Sequence, residues 1–364
     1  MGFISRIQLK NFRNYPELEL KLEPGISVFR GLNGQGKTAF LEALGFLSLL
    51  RSIRSSHTRH LKKWESDFFS LRACLDRVTR PELDMSVYYG DKRQLSLDGN
   101  RVPTTSDFIG VVKSVAFMPE DIEIVKGSAS WRRQYLDILL SQLSPGYLQS
   151  LKHYQKALKS RNQVLKRGLN LDLELDVWDD ILIEHGCEVL EARLSLLPRL
   201  AESVSSLVEK MLKKDFLLEL QYKNSLAKNA TDLRSVYRER LLENRERDKL
   251  YKMTHQGPHR DDLLINLNGR SLSNYGSEGQ CRLSSLVLKA AAVELLLPVE
   301  KPDCLILLID DVLGELDEFS RRAFLKCVSR GDQVFIACTD IPSGLEDYEY
   351  KSYEVKAGVI SSVE

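Results

Sequence analysis

Apolar residues recur at two different spacings along this chain, and the spacing depends on the position. Toward both ends the apolar runs are short and bounded by turn residues, which predicts strands. The strongest runs of this kind are residues 25–30, 305–309 and 333–338. Residues 305–309 are apolar without interruption, so we expect a fully buried strand there. Residues 25–30 also suit a buried strand, and residues 333–338 are expected to form the final strand. Leu18, Leu20 and Leu22 instead alternate with charged residues, which predicts an antiparallel edge strand with one solvated face.

Two further stretches predict antiparallel hairpins. Residues 70–117 have the pattern of several short strands, with Asp98-Gly99 at a turn. Residues 262–272 contain a second such turn at Asn268-Gly269. Asp-Gly and Asn-Gly pairs favour tight two-residue hairpin loops, so we expect a β-meander in the first stretch and one hairpin in the second.

The middle of the chain has helical periodicity, and strand signals fade from about Ser130 to Met253. Residues 138–171 contain no acidic side chain, whereas residues 172–192 contain eight and no Lys or Arg. Opposite blocks joined near Gly168 predict an antiparallel helical hairpin. We therefore divide the chain into an N-terminal lobe (1–127), a helical insertion with short arms (128–253) and a C-terminal lobe (254–364).

The first candidate for chemistry is a glycine-rich stretch between the predicted strand at 25–30 and an apolar helix. Its residues are Gly31, Leu32, Asn33, Gly34, Gln35, Gly36, Lys37 and Thr38, which match G-x-x-x-x-G-K-[ST]. Such a loop turns its backbone N–H groups toward a phosphate, at the positive end of the following helix. Lys37 would hold the outer phosphates of a nucleotide and Thr38 a Mg²⁺ ion. The alternative is a glycine turn with an incidental lysine.

The buried strand at 305–309 ends in two carboxylates, Asp310 and Asp311, and Gly314-Glu-Leu-Asp317 follows. One carboxylate at such a position can hold Mg²⁺, directly or through water. The next can orient and deprotonate an attacking water molecule. We therefore assign the metal to Asp310 and the catalytic role to Asp311.

Two other stretches are candidate contacts. Ser277, Gly279 and Gln280 open a long predicted helix that stops at Pro298. This S-x-G-Q string has two interpretations, an anion-binding site at the start of the helix or an N-cap alone. Arg13 lies in a turn with Phe12 and Tyr15, where it faces a nucleotide or forms a plain surface turn.

A basic segment follows the first helix, and we expect it to bind DNA phosphates, because hydroxyl side chains are interleaved with its cations. Its candidate contacts are Arg51, Arg54, Lys62 and Lys63. A solvated loop is the simpler interpretation. The block from Lys152 to Arg167 is a rival surface.

Composition narrows the classes of function. The net charge of +1 excludes a bulk polycation, so a nucleic-acid contact must come from a local concentration of charge. The six cysteines are scattered without a C-x-x-C pair, so we expect neither disulfides nor a structural zinc. Since the sequence shows no leader and no apolar run long enough to span a bilayer, we expect a cytoplasmic protein without a membrane contact.

The order of P-loop, S-x-G-Q and paired acids resembles the ATP-binding cassette fold of the Rad50 and SMC group. That resemblance implies an α/β fold, namely an ABC/SMC-like P-loop ATPase head (a mixed sheet plus an antiparallel β-meander) with an inserted helical arm domain. It places Ser277, Gly279 and Gln280 in the signature, Asp310 in Walker B, Asp311 where Glu is usual, and Asp317 in the D-loop. Each nucleotide would then lie between the P-loop of one subunit and the signature of another.

Several strings also resemble the RecF family of bacterial recombination mediators, and they extend nearly from end to end. They are residues 11–15 (NFRNY), 33–38 (NGQGKT), 51–54 (RSIR), 119–121 (PED), 125–128 (VKGS), 132–133 (RR), 257–262 (GPHRDD) and 310–317 (DDVLGELD). This resemblance implies an ATP-dependent homodimer that binds Mg²⁺-ATP and double-stranded or gapped DNA. It also implies slow ATP hydrolysis, and action with RecO and RecR in loading RecA during recombinational repair and replication.

Some positions and functions stay open. Thr339 stands where transporters carry a switch histidine, and Glu120, not a glutamine, lies near the expected position of the Q-loop. The sensor of the γ-phosphate is therefore unassigned. The alternative function is an ATP-switched DNA-binding scaffold in which hydrolysis, a slow DNA-dependent activity, is incidental. Two other functions are disfavoured. A nuclease of the overcoming-lysogeny type would need a nuclease domain after the head, and only about 50 residues follow Asp311 in this sequence. A GTPase would need an N-K-x-D string to read guanine, and the sequence has none.

Overall fold

The computed structural model describes residues 2–54, 57–77, 81–168, 172–212, 216–226, 232–297 and 304–363. Contacts divide the chain into two compact units. The head unit comprises Met1–Ile122, Ser203–Phe216 and Arg282–Glu364, and the arm unit comprises Glu123–Glu202 and Leu217–Cys281. The boundaries after residues 127 and 253 stay a prediction. Pro298, the expected end of the long helix, and Ser55 and Ser56, two hydroxyl residues of the basic segment, lie outside the described residues.

The strands are β1 (Gly2–Phe12), β2 (Tyr15–Lys21), β3 (Gly25–Arg30), β4 (Phe69–Arg77), β5 (Leu83–Tyr89), β6 (Arg93–Leu97), β7 (Asn100–Arg101), β8 (Val112–Phe117), β9 (Leu218–Lys223), β10 (Asp262–Leu267), β11 (Arg270–Ser271), β12 (Cys304–Asp310), β13 (Gln333–Cys338), β14 (Tyr350–Lys356) and β15 (Val359–Val363). The helices are α1 (Lys37–Leu49), α2 (Glu123–Lys126), α3 (Ala129–Leu143), α4 (Pro145–Arg167), α5 (Asp172–Met211), α6 (Leu233–Glu243), α7 (Arg245–Tyr251), α8 (Leu272–Tyr275), α9 (Glu278–Leu296) and α10 (Glu318–Val328). Among the described residues, none of these helices combines the length and the apolar character that crossing a membrane requires.

One sheet of the head unit is antiparallel throughout, with strand order β2-β1-β4-β5-β6-β7. It contains the predicted meander, and β2 is the predicted edge strand. Asp98 and Gly99 have φ values of 49° and 75°, the left-handed values that a tight hairpin loop requires. The last part of the predicted meander is wrong, because β8 pairs with β12 in another sheet. β8 is buried along most of its length, as a strand covered on both faces must be.

The second sheet of the head unit has the order β15-β14-β3-β13-β12-β8, and only β15 pairs antiparallel. The strands predicted at 25–30, 305–309 and 333–338 are confirmed as β3, β12 and β13. The third was expected to be the final strand, which is wrong because β14 and β15 follow. The parallel strands align their carboxyl ends at one edge, where ligands bind in open α/β sheets.

A single hydrophobic core joins the two sheets and α1. Its members include Ile7 from the first sheet, Phe46 from α1 and Leu308 from the second sheet, each fully buried. Because α1 is buried around most of its circumference, its sequence is apolar with little amphipathic contrast. The core therefore holds the start of α1 firmly against the edge where β3 ends.

The arm unit contains the predicted helical hairpin of α4 and α5. Gly168 ends α4 with φ 82°, and the opposite charges pair across the hairpin. Arg161 contacts Asp179 at 2.6 Å and Arg167 contacts Glu174 at 2.7 Å. Val164, Leu165 and Leu175 form a buried cluster between the helices. The prediction of an antiparallel hairpin is confirmed.

A three-stranded antiparallel sheet, in the order β11-β10-β9, completes the arm unit. The hairpin of β10 and β11 turns at Asn268-Gly269 and is confirmed. The expectation that strands are absent before Met253 is wrong, since β9 pairs with β10 along its whole length. Six residues are too short a window for their alternating burial to stand out among long helical patterns.

Candidate nucleotide-binding site

The glycine-rich loop connects β3 to α1 in the head unit, as the sequence predicts. Gly36 precedes the helix with φ 120°, a conformation that disfavours any side chain. A Cβ atom there would lie 2.6 Å from Asn14 Nδ2 and 2.9 Å from Tyr15 Oη. The last glycine of the motif is therefore required both by its backbone conformation and by the close approach of its neighbours.

Hydrogen bonds from two turns hold this loop in shape. Asn14 Nδ2 donates to the Gln35 carbonyl at 3.2 Å, and Tyr15 Oη donates to the Gly36 carbonyl at 3.0 Å. From the turn between β14 and β15, Gly358 N donates to the Gln35 carbonyl at 3.0 Å. Ala357 N donates to Gln35 Oε1 at 2.7 Å. A loop fixed this way loses little conformational entropy when it binds a phosphate.

Lys37 is buried although it is cationic. Its ammonium group donates to the carbonyls of Gly31 at 2.5 Å and Leu32 at 3.1 Å. These neutral acceptors take two of the three N–H donors without neutralising the charge. The ammonium group is therefore held within the loop as a positive charge that can pair with a polyphosphate.

Two acidic residues stand at the carboxyl end of β12, separated from β3 by β13. The Thr38 hydroxyl donates to Asp310 Oδ1 at 2.9 Å and to Oδ2 at 2.8 Å. Burial raises the pKa of Asp310, and the hydrogen bond from Thr38 opposes this. A hydroxyl and a carboxylate in contact are hard oxygen donors of the kind that Mg²⁺ prefers.

Asp311 has a left-handed backbone, with φ 55°, and its N–H donates to the Ala337 carbonyl at 3.1 Å. A residue other than glycine pays about 1 kcal/mol or more for this conformation. The turn ends β12 and brings Asp311 to the wall of the same cleft as Lys37 and Thr38. Asp311 is thus available to a reacting group, whereas Asp310 is bound to Thr38.

The cleft around these residues has a volume of about 860 Å³, within the range of small-molecule sites. Its lining comprises Arg13, Asn14, Asn33, Gly34, Gly36, Lys37, Thr38, Ala39, Glu42, Arg54, His60, Lys62, Lys63, Trp64, Glu120 and Asp311. The cleft thus brings together most of the predicted P-loop, Arg13, Asp311 and three of the four predicted DNA contacts. Arg51 is half-buried and is not among these described lining residues.

Arg13 is anchored rather than loose in a surface turn. Its guanidinium donates to Glu42 Oε2 at 2.7 Å and to Glu42 Oε1 at 3.0 Å, and also to the His60 carbonyl at 2.8 Å. Glu42 is buried on α1 and accepts a further hydrogen bond from the Ser52 hydroxyl. This bidentate pair fixes Arg13 at the cleft wall.

Sequence reasoning missed Glu42. Its signal was present, because it is the one acidic residue within the apolar helix α1. An acid inside a buried helix needs a partner. The sequence does not single out that partner, because Lys21, Arg30 and Lys37 are all nearer to Glu42 along the chain than Arg13 is. Glu120, near the expected position of the Q-loop, lines the cleft, and its Oε1 lies 3.6 Å from Arg54 Nε.

The predicted signature residues lie in the arm unit at the start of α9. Gln280 N donates to Ser277 Oγ at 3.2 Å, and Ser277 N donates to Gln280 Oε1 at 2.9 Å. This reciprocal pair is a capping box, and Gly279 lies in the first helical turn. Asp317 caps α10 in the head unit by accepting from Ser320 N at 2.9 Å. These local contacts account for helix capping, and the signature and D-loop roles stay predictions.

The fold and the cleft define the class of the protein, a P-loop ATPase head of the ABC/SMC type. A family model described as an AAA domain matches residues 6–254. The head of an Smc protein from Pyrococcus furiosus, solved with the C-terminal domain of ScpA, superimposes with a TM-score of 0.57. It covers 100% of this chain and 96% of the Smc chain, at 15% identity, and so supports the fold alone.

Closer relatives narrow the class to one family. A DNA replication and repair protein RecF from Halalkalibacterium halodurans is 37% identical over 368 residues, 98% of each chain. A RecF of Bacillus cereus is 36% identical over 370 residues, again 98% of each. The solved structure of a recombination mediator protein, RecF-ATP in the RecFOR pathway, has a TM-score of 0.90 at 31% identity. It covers 100% of this chain and 98% of its own. The chain belongs to the RecF family of DNA replication and repair proteins.

Proposed function

We propose that this protein is an ATP-dependent DNA-binding protein of recombinational repair and replication that works in the cytoplasm. ATP bound with Mg²⁺ would join two copies of the chain into a homodimer that binds double-stranded DNA and gapped junctions. Together with RecO and RecR, this dimer would help to load the RecA recombinase. Support comes from membership of the RecF family and from the relative solved as RecF-ATP in the RecFOR pathway.

One observation carries the nucleotide part of this proposal. The Thr38 hydroxyl is hydrogen-bonded to Asp310 across 272 positions of sequence, in a cleft that Lys37 and Asp311 also line. Backbone N–H groups, an ammonium group and paired carboxylates are the groups that binding a nucleoside triphosphate requires. A purely structural role does not require the side chains of Lys37, Thr38, Asp310 and Asp311 to meet at one edge of the sheet.

The residues of the cleft have distinct proposed roles. Lys37 pairs with the outer phosphates, and the N-terminus of α1 directs its N–H groups at the same oxygens. Thr38 and Asp310 hold Mg²⁺, which neutralises phosphate charge when it is bound. Arg13, fixed by Glu42, adds a cation on the side of the β1–β2 turn.

Asp311 is the proposed base for hydrolysis. Its carboxylate orients a water molecule and accepts its proton as the oxygen attacks the γ-phosphorus. We expect this reaction to be slow, because the shorter Asp side chain stands where the ABC class usually has Glu. Hydrolysis would then act as a switch that ends the dimeric state.

A scaffold in which ATP only joins the subunits is the second candidate, since the composite site would form without hydrolysis. The two functions differ in how DNA is released. If hydrolysis is the switch, DNA dissociation is faster with ATP than with a non-hydrolysable analogue. If ATP is only structural, the two dissociation rates are equal.

Nucleotide binding is tested with Lys37→Met, which removes the ammonium group at nearly constant volume. We expect loss of tight ATP binding with the thermal unfolding curve unchanged. Gel shifts on duplex, single-stranded and gapped DNA, with and without ATP, then test the DNA part. Unchanged ATP affinity in the variant, or DNA affinities that do not respond to ATP, would contradict the proposal.

A further inference from the structure

Trp64 has a large, exposed side chain at the proposed nucleotide cleft. The residue is 85% exposed and lines the same cleft as Lys37 and Thr38. Indole rings usually bury most of their area, because each contributes strongly to core and interface stability. An exposed indole beside a phosphate-binding loop is available to a flat ligand.

The backbone around Trp64 is a tight turn that displays this side chain. Ser66 N donates to the Lys63 carbonyl at 3.1 Å, which makes Trp64 and Glu65 the central residues of the turn. Glu65 has φ 63°, a value for which turns normally use glycine or asparagine. The backbone is therefore locally strained in the turn that exposes Trp64.

The turn is also fixed relative to the phosphate-binding loop. Lys63 N donates to the Asn11 carbonyl at 2.8 Å, and Arg13 N donates to the Leu61 carbonyl at 2.8 Å. These bonds attach the segment to the β1–β2 hairpin. The same hairpin braces the loop through Asn14 and Tyr15. One rigid hairpin therefore sets the position of the indole relative to the phosphate site.

We propose that Trp64 is the base-binding residue of this site, and that its indole stacks on the purine ring of the bound nucleotide. This inference rests on the proposed nucleotide-binding function and adds the part of the ligand that the loop does not contact. Stacking uses the π face, which every purine has, and does not read the hydrogen-bonding edge. The site should therefore accept a purine diphosphate in preference to pyrophosphate alone.

The test compares ADP with inorganic pyrophosphate by titration calorimetry on the full chain. ADP lacks the γ-phosphate, so a dimer that needs this group does not contribute to the signal. The variants are Trp64→Ala, Trp64→Phe and, as a matched control in the arm unit, Trp131→Ala. Lys37→Met serves as the reference for the phosphate contact.

We expect Trp64→Ala to weaken ADP binding about tenfold or more and to leave pyrophosphate binding unchanged. Trp64→Phe should restore most of the ADP affinity, because a phenyl ring still offers a stacking face. Trp131→Ala should match the parent chain. Lys37→Met should weaken both ligands.

Fluorescence gives an independent readout. A chain carrying Trp131→Phe and Trp178→Phe has Trp64 as its single indole. ADP should change the emission of this chain and pyrophosphate should not. Equal ADP affinity in Trp64→Ala and the parent, while Lys37→Met loses both ligands, overturns the role of Trp64 and leaves the proposed function intact. Equal ADP affinity in Lys37→Met and the parent overturns both. Loss of single-stranded DNA binding alone in Trp64→Ala would assign the indole to DNA and also overturn the inference.

Discussion

The two neighbouring aspartates after β12 have different surroundings, and this difference separates their roles. Asp310 accepts the single hydroxyl proton of Thr38, which both carboxylate oxygens share, and burial raises the pKa of Asp310. Asp311 turns away from the strand with φ 55° and lines the cleft. The Asp310 carboxylate, in contact with the Thr38 hydroxyl, is suited to holding a metal ion. The Asp311 carboxylate, at the cleft wall, is suited to accepting a proton from water.

Asp311→Asn is therefore expected to retain ATP binding and to lose hydrolysis. The amide still hydrogen-bonds a water molecule but does not accept its proton, so turnover should fall about 10²-fold or more. Phosphate release at saturating ATP measures this. Asp340→Asn, on the loop after β13, is the matched control and should keep the parental rate. Parental turnover in Asp311→Asn would move the base to another residue.

At the residue scale, motifs were predictable and supporting contacts were not. The P-loop and the two aspartates follow from chemistry that permits few other residues. Glu42 and Trp64 were not predicted, because their contacts are with residues that are distant in sequence. Glu42 becomes a positioning residue only when the β1–β2 turn brings Arg13 to it. Trp64 becomes a candidate only when its turn joins the wall of the cleft.

At the scale of elements, the strands that sequence analysis found are those with strong local signals. β3, β12 and β13 are short runs made mostly of apolar residues, and the hairpins have Asp-Gly or Asn-Gly turns. β9 depends on pairing with β10, and β14 on pairing with β3, both far away in sequence. Their residues alternate over only a few positions, so the tertiary partner decides the structure.

A buried ion pair in the head unit joins α9 to the segment after β8. Lys289 Nζ lies 2.8 Å from Asp121 Oδ1 and donates to the Ala116 carbonyl at 2.8 Å. Asp121 also accepts from Met118 N at 2.8 Å. The pair fixes the end of β8 beside Glu120, which lines the cleft.

Lys289→Met should lower the free energy of unfolding by about 3–5 kcal/mol, because it leaves a buried carboxylate without its cation. Urea unfolding at pH 7 measures the loss. The exposed pair of Arg322 and Glu318 offers a control, and Arg322→Met should cost about 1 kcal/mol or less. Adding Asp121→Asn to Lys289→Met should recover part of the stability. A cost no larger than that of the control would show that the pair contributes little.

The arm unit contains a histidine that folding keeps neutral. His259 Nδ1 accepts from Tyr154 Oη at 2.6 Å, and Nε2–H donates to the Thr254 carbonyl at 3.0 Å. Burial is the main cause that lowers the pKa of His259 to about 4, and the nearby Arg260 and Arg133 contribute to the same shift. Below the unfolded pKa of about 6.5, the unfolded state binds a proton that the folded state does not.

Stability of the arm unit should therefore fall as the pH drops from about 6.5 toward 4, and most of that loss comes from His259. Between pH 7 and pH 5 the expected loss is about 2 kcal/mol. Urea unfolding at both pH values measures it, and His259→Gln should show a smaller difference between them. An equal pH dependence in the variant would assign the effect to other groups.

At the scale of the whole molecule, two basic surfaces are candidates for the proposed DNA contact. Arg54, Lys62 and Lys63 line the nucleotide cleft in the head unit, with Arg51 close in sequence. The second surface is the α4 face in the arm unit, which carries Lys152, Lys156, Lys159 and Lys166. Both have cations suited to phosphates, so the salt dependence of binding must distinguish them.

Replacing Arg51, Arg54, Lys62 and Lys63 by Ala should weaken duplex binding and flatten its dependence on salt. Each lost phosphate contact reduces the slope of log K against log salt by about 0.9. The measurement is made at saturating ATP, the condition in which the proposed dimer binds DNA, and the ATP affinity of each variant is measured separately. The matched variant replaces Lys152, Lys156, Lys159 and Lys166 by Ala. A reduced slope only in the arm variant would move the DNA contact to α4.

The central claim is that ATP joins two chains through sites to which each chain contributes a different part. Mixing Lys37→Met with Ser277→Arg tests this most directly. In a mixed dimer one site carries both lesions, and the other joins an intact P-loop to an intact Ser277. We expect ATP-dependent capture of one tagged variant by the other, although each variant alone stays monomeric. If no mixed dimer forms while both proteins are folded, Ser277 does not complete a partner's site and the account is contradicted.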